Sequence, residues 1–286
     1  MDSRVVVVTK VGSALGVAGE HEGLQVADLR HPDAVESTLG AVHRAGQVPL
    51  VLCADEDRDA VRTLLTQARV RHPGLRGLLE SLPGGPLAVG VLSSLVDDLR
   101  GETDGVAWQL NAIALLRERT WSATWLPSVA GLHDPSPRLS QHVASWFAKG
   151  FLVEHHPEPR VVRATKKAPP ADLPRHEDHA LLHSAAAQDE WVVAAVHEAL
   201  GTQSRSEVTT LRDVVDAHGS ARAIEFVAVP PAYHEDSRPA PGSVTECRGC
   251  GLRHPRAACP RCAMVVAPPT GTRTPASASP SEGDRA

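Results

Sequence analysis

The sequence predicts an α/β protein in which a parallel-sheet N-terminal domain is followed by a small α+β unit and a cysteine-rich C-terminal module. Three observations carry this reading. Short β-branched or apolar runs are bounded by turn residues, helical periodicities fill the intervals between them, and four of the five cysteines fall between Cys247 and Cys262. Strands alternating with helices of about 10 to 15 residues read as βαβ units, whose sheet is covered on both faces.

Residues 4–8 (Arg-Val-Val-Val-Val) form the β-branched run that a strand buried on both faces requires. His31-Pro32-Asp33 opens a helical pattern through Ala45, with Val35, Leu39 and Val42 on one side, and Gly46 stands where a helix C-terminal glycine sits. The run from Pro49 to Ala54 reads as a second strand. A helix over about 57–69 turns Val61, Leu64, Leu65 and Ala68 to one side. Leu87 to Leu92 is the third predicted strand, followed by a helix through Leu99. Two more helices are predicted over 106–119 and 138–149, the second after the turn Asp134-Pro135-Ser136-Pro137. Between 105 and 152 lie Trp108, Trp121, Trp125, Trp146, Phe147 and Phe151, six of the nine aromatic residues. They read as the closure of the first core, with a stacking surface for bases or a partner as the alternative.

Composition changes at His155. Five prolines between Pro157 and Pro174 and the basic stretch from Arg160 to Lys167 predict a connector. A small unit follows, with a helix near 190–200 ended by Gly201, another near 207–218 capped by Ser206, and a strand over 223–229. The predicted organisation is therefore 1–154 α/β domain, 155–178 Pro-rich basic linker, 179–230 small α+β unit, 231–243 linker, 244–266 cysteine module, and a disordered Ser/Pro/Thr-rich tail over 267–286.

The chain has 286 residues, 42% of them hydrophobic, and a formal net charge of −5, which argues against a surface built wholly for nucleic acid or anionic lipid. No apolar run approaches the roughly 20 residues that span a bilayer, and Lys10 interrupts the valines at 5–8. The expected location is cytoplasmic, with no membrane partner. Of 29 basic residues only Lys10, Lys149, Lys166 and Lys167 are lysine, the codon bias of a high-GC bacterium, so arginine richness alone says little about anion binding.

Cys247-Arg248-Gly249-Cys250-Gly251 and Cys259-Pro260-Arg261-Cys262 are two CxxC hooks. Each turn can aim two thiolates at one point, and together Cys247, Cys250, Cys259 and Cys262 supply a closed tetrahedral set that favours zinc. A disulfide pair and a redox dithiol are the alternatives, and the expected compartment weighs against the first. So short a module buries too little apolar surface to fold alone, and metal binding would supply its folding free energy. His254 is expected as an exposed loop residue and Cys53 as a buried small hydrophobe. The hooks resemble the small zinc ribbons at the termini of many bacterial proteins, with Ala263 standing where a second glycine is common. Arg248, Arg253, Arg256 and Arg261, with no acidic residue among them, read either as a contact for an anionic surface, on an unidentified protein partner ahead of nucleic acid, or equally as solvated arginines that reflect composition.

The segment Val6-Val7-Val8-Thr9-Lys10-Val11-Gly12-Ser13 resembles the first-strand motif of the amino-acid kinase family. That resemblance implies Lys10 on phosphate, with Gly12 and Ser13 shaping the turn, although the acidic run Asp55-Glu56-Asp57 departs from the pattern. His176, His179 and His183 fall on one face if helical, and a solvated cluster is expected there rather than a metal site. No catalytic residue is singled out. The function expected from the sequence is a non-catalytic interaction or scaffold protein using the ribbon. The alternative is an α/β enzyme acting on a phosphorylated or carboxylated small molecule, which a polar pocket at the strand C-terminal ends would favour.

Overall fold

A run of valines starts the first sheet. In the computed structural model of the chain, β1 (Val5–Thr9) lies between β2 (Gln25–Asp28) and β3 (Leu50–Ala54), and β4 (Leu78–Leu82) pairs with β3. The order is β2-β1-β3-β4 with every pair parallel. The structure describes residues 5–9, 25–28, 33, 36, 40, 49–73, 75, 77–101, 104–129, 150–185, 189–208 and 218–263. All but three residues of the helix expected over 31–45, the whole of that over 138–149, most of that over 207–218, and the tail over 267–286 lie outside them.

A 3-10 turn, Asp55–Asp57, leads from β3 into α1 (Arg58–Arg71), which buries Val61, Leu64, Leu65 and Ala68 as its periodicity predicts. The strand expected over 87–92 is instead the middle of α2 (Pro86–Asp97). An apolar run buried on all sides has no period to distinguish helix from strand. Here Pro86 in the first turn, after Gly84 and Gly85, starts a helix, and the sheet position is filled by β4. α3 (Gly105–Arg119) follows and is tied to α2 by the Gln109 side-chain amide donating to the Val96 carbonyl at 3.2 Å.

The second sheet contains β5 (Trp121–Leu126), β6 (Phe151–His156), β7 (Arg160–Arg163), β8 (Ala180–His183), β9 (Ser204–Glu207) and β10 (Ile224–Val229). Their order is β7-β6-β5-β10-β8-β9, antiparallel throughout except for the parallel β8–β9 pair. That pair is bridged by α4 (Glu190–Leu200), ended by Gly201 at φ 69° as its sequence predicts. The basic stretch expected as connector therefore supplies a strand, and Ser206 lies in β9 rather than at a helix start. Trp121 and Trp125 sit on alternate positions of one strand, so both face the same way, and they pack with Leu152, Phe226 and Val192 beneath α4.

A short helix, α5 (Tyr233–Asp236), precedes the hairpin of β11 (Thr245–Glu246) and β12 (Arg253–His254). One apolar cluster joins β3, β4, α2, α3, the far face of β10 and the hairpin's Cys247, Leu252 and Cys259. The cysteine module is thus packed onto the body of the protein.

Candidate functional site

Two arrangements could carry function. The first is the cysteine hairpin. In the first hook the amide of Gly251 donates to the Cys247 carbonyl at 2.8 Å, and in the second that of Ala263 donates to the Cys259 carbonyl at 2.9 Å. Both turns end in a left-handed residue, Gly251 at φ 70° and Ala263 at φ 57°, so Ala263 holds a conformation that glycine adopts without strain. The four sulfurs lie within 4.8 Å of one another, with Cys247 and Cys262 3.5 Å apart and Cys250 and Cys259 3.6 Å apart. These four cysteines can hold a metal ion. Burial alone would raise the Cys247 thiol, but the Gly249 amide and the facing thiols outweigh it and bring it down to about 7. Burial pushes Cys259 up to about 12.

The module's arginines are partly spent within the chain. Arg253 pairs with Asp104 before α3 at 2.7 Å, and Arg256 with Glu80 of β4 at 2.5 Å. His254, expected on the surface, is fully buried, with its Nδ1 accepting from the Arg256 amide, because the hairpin lies against α3.

The second arrangement is the face of the large sheet turned toward α2. The β5 partners Ser122, Thr124 and Leu126 alternate with the tryptophans and so occupy this face. Register places Glu225 and Val153 opposite Thr124, and Phe151 opposite Leu126. One end of the face carries Ser122, Thr124 and Glu225 with Val227 and Val229 of β10 beside them, and the other is apolar, where Leu126, Val129, Phe151, Val153 and Ala223 form one buried cluster.

At the polar end, Thr124 Oγ1 and His155 Nε2 are 2.9 Å apart. Burial, reinforced by nearby His218, lowers the His155 pKa to about 4, so its ring is neutral at physiological pH. Glu225 is buried; one carboxylate oxygen accepts from the Leu87 amide in the first turn of α2 at 3.2 Å, and the other is 2.8 Å from His218 Nε2. The helix dipole and amide offset the cost of burying this charge. Gly84, at φ 96°, lets the turn before α2 approach the sheet: a Cβ there would stand 2.5 Å from Ser122 Oγ. Ser122 Oγ itself is buried with no hydrogen-bond partner among the described residues. Beside it Arg117 bridges Asp55 Oδ1 (2.9 Å) and Ser81 Oγ (3.2 Å) across the C-terminal ends of β3 and β4.

Lys10, Gly12 and Ser13 lie outside the described residues. His179 and His183 are buried, correcting the expected solvated cluster. His179 is held between Asp178 (2.6 Å) and the Arg119 carbonyl (2.8 Å), while His183 Nδ1 is 2.8 Å from the Ser184 carbonyl. Among the described residues the only group of metal-ligating side chains is the cysteine quartet. Cys53 is buried as expected, and that burial, with Asp57 and Asp55 adding to it, pushes its thiol up to about 12. Sequence reasoning missed Ser122, Thr124, His155 and Glu225. The alternation Trp-Ser-Ala-Thr-Trp-Leu was the available signal.

No family model matches the chain, and no curated protein matches it. Solved structures do. A Streptococcus pneumoniae fatty acid kinase (Fak) B3 protein loaded with linoleic acid superposes with a TM-score of 0.54 at 9% identity, over 79% of this chain and 99% of that one. A DegV family protein from Eubacterium eligens loaded with heptadecanoic acid gives 0.56 at 11% identity, over 80% and 100%. A DegV family protein from Thermus thermophilus, described by its fatty acid binding, gives 0.54 at 12% identity, over 79% and 99%. These findings overturn the expected partner-recruiting scaffold with its unidentified protein partner, and equally the kinase-like alternative, since the matched structures are DegV proteins with fatty acids and not amino-acid kinases. Among the described residues no helix is long and apolar enough to cross a membrane. What the chain shares with these proteins is a DegV-like α/β fold.

Proposed function

We propose that the protein binds a long-chain fatty acid along the face of the large sheet turned toward α2. The observation that carries this is the division of that face. At one end Ser122 Oγ has no partner among the described residues and Thr124 Oγ1 faces His155 Nε2 at 2.9 Å, and at the other Leu126, Phe151, Val153 and Ala223 form an apolar cluster. A single-chain amphiphile has the same division, and each methylene buried contributes about 0.8 kcal/mol. The likeness of fold to proteins loaded with linoleic and heptadecanoic acid supports the reading. Ser122 Oγ, buried and with no hydrogen-bond partner among the described residues, is the donor that a ligand head would satisfy. Glu225, opposite Thr124 in register, is engaged by the Leu87 amide and His218, and its charge weakens the binding of a carboxylate head rather than favouring it.

The test is native mass spectrometry of the purified protein, followed by delipidation and displacement of a fluorescent fatty acid by heptadecanoic acid. One acyl chain per protein, with displacement weakened in Thr124→Val, is the expected result. Absence of both bound lipid and saturable displacement overturns the proposal.

The same reading gives the cysteine quartet a zinc ion held by Cys247, Cys250, Cys259 and Cys262. A tetrahedron with Zn–S of about 2.3 Å has sulfur–sulfur edges near ~3.8 Å, close to the 3.5 and 3.6 Å separations in the hairpin. All four positions are filled by thiolates, so this zinc is structural and keeps Leu252 and the two buried cysteines seated against α3.

A further inference from the structure

The turn after β7 forms one wall of a cleft of about 350 Å³ whose other walls come from the start of α4 and from Arg222. Its floor is Trp125, locked in place by its indole N–H donating to the Ala164 carbonyl at 3.1 Å. Trp191 stands edge-on to it, with centroids 6.1 Å apart, and its own N–H donates to Asp189 at 3.2 Å. The Arg222 guanidinium lies 5.9 Å from the Trp125 ring and is forked onto the Asp189 carboxylate at 2.7 and 2.9 Å. Among the described residues that carboxylate is the only acid lining the cleft, and Arg222 and Trp191 already use it.

Three cations remain. Arg163, Lys166 and Lys167 line the same cleft, are exposed, and have no carboxylate partner among the described residues. Gathering three like charges without a counter-ion is unfavourable, and it runs against a chain whose net charge is −5. Lysine is also scarce: two of the four in the whole chain sit side by side here, whereas arginine is the default base everywhere else. Lysine is a point-charge donor for phosphate oxygens, and arginine can grip them through two nitrogens. The indole walls are held rigid by their own hydrogen bonds, so a planar ring can lie against them at little cost in side-chain entropy.

We propose that this cleft binds a nucleoside phosphate, with its phosphates on Arg163, Lys166 and Lys167 and its base against Trp191. The stretch from Arg160 to Lys167 then has a role beyond its strand. Of the aromatic residues for which a base-stacking surface was the alternative reading, Trp125 is the floor of this cleft; Trp191 was not among them.

The experiment is calorimetric titration of the full-length, metal-loaded protein with ADP, pyrophosphate and adenosine at low and high salt. ADP is expected to bind saturably and to weaken as salt rises. The double variant Lys166→Ala/Lys167→Ala should weaken ADP about tenfold or more, given two charge-assisted bonds lost, while melting as the wild type does because both side chains are exposed. Trp191→Leu should weaken ADP more than pyrophosphate. The proposal is overturned if ADP gives no saturable heat at low salt, or if the double variant binds ADP as the wild type does. It is equally overturned if Trp191→Leu affects ADP and pyrophosphate alike, or if phosphatidylglycerol vesicles bind through these lysines and ADP does not compete.

Discussion

Replacing Gly84 with alanine tests the close approach of the α2 turn to the large sheet, on which the proposed lipid site depends. The new Cβ would stand 2.5 Å from Ser122 Oγ and 2.8 Å from the Ala88 Cβ, on a backbone held at φ 96°. A left-handed conformation costs a residue with a side chain about 1–2 kcal/mol. Overpacking a filled site costs about 1–3 kcal/mol more. Together these give about 2–5 kcal/mol, which for a chain of this size lowers the melting temperature by roughly 4–20 °C. Ser122→Ala alone should be neutral or slightly stabilising, because it removes a buried hydroxyl that has no partner among the described residues. In the double variant the hydroxyl is gone while the Ala88 contact and the dihedral remain. Part of the loss, roughly 1 kcal/mol, should therefore return as a coupling energy. Thermal melts followed by circular dichroism measure all four proteins. If Gly84→Ala melts within about 1 °C of the wild type, the inferred contact between this turn and β5 is wrong.

The other predictions concern the metal hairpin and the charges of the site. Ala263→Gly relieves the left-handed strain at the second hook and should stabilise the metal-loaded protein by about 1 kcal/mol in urea unfolding; a loss of stability would refute that turn geometry. Chelation should release the hairpin and expose Leu252, worth about 2 kcal/mol, lowering the melting temperature by roughly 4–8 °C until zinc is restored. A melt indifferent to the chelator rules out a structural metal. His155 has its folded pKa lowered to about 4 from 6.5, so the unfolded chain takes up the proton first on acidification. Stability should therefore be full above pH 6.5 and fall as pH drops toward 4, by up to about 3 kcal/mol. His155→Gln should flatten that slope, and an unchanged slope would remove His155 as its cause. Glu225→Gln should tighten heptadecanoic acid by about tenfold or more by removing a buried charge beside the ligand head. Weaker binding would place the head elsewhere.

Legibility in the sequence followed the range of the interactions. β1, β3, α1, α3, α4 and β10 were readable because each depends on local pattern: a β-branched run, a one-sided apolar stripe, a glycine after the last turn. The cysteine quartet was readable because both hooks are local and bring their own turn residues. The apolar run at 87–92 was misread because a helix buried on every side has no polar face to set its period. The polar-to-apolar face was invisible as a motif, since Thr124, Val153 and Glu225 come from three strands separated in sequence and meet only through register.

By itself, then, the sequence determined the α/β class, most of the described helices and the clustering of four cysteines that could hold a metal, all of which follow from neighbours within a few turns of chain. Tertiary structure alone decided that residues 160–163 complete a second sheet, that the cysteine hairpin lies against α3 with Arg253 and Arg256 paired to Asp104 and Glu80, and that one face of that sheet grades from hydroxyls to hydrocarbon. The reason is physical. Strand pairing and the meeting of two surfaces are set by which distant segments bury each other best, and no single segment carries that information.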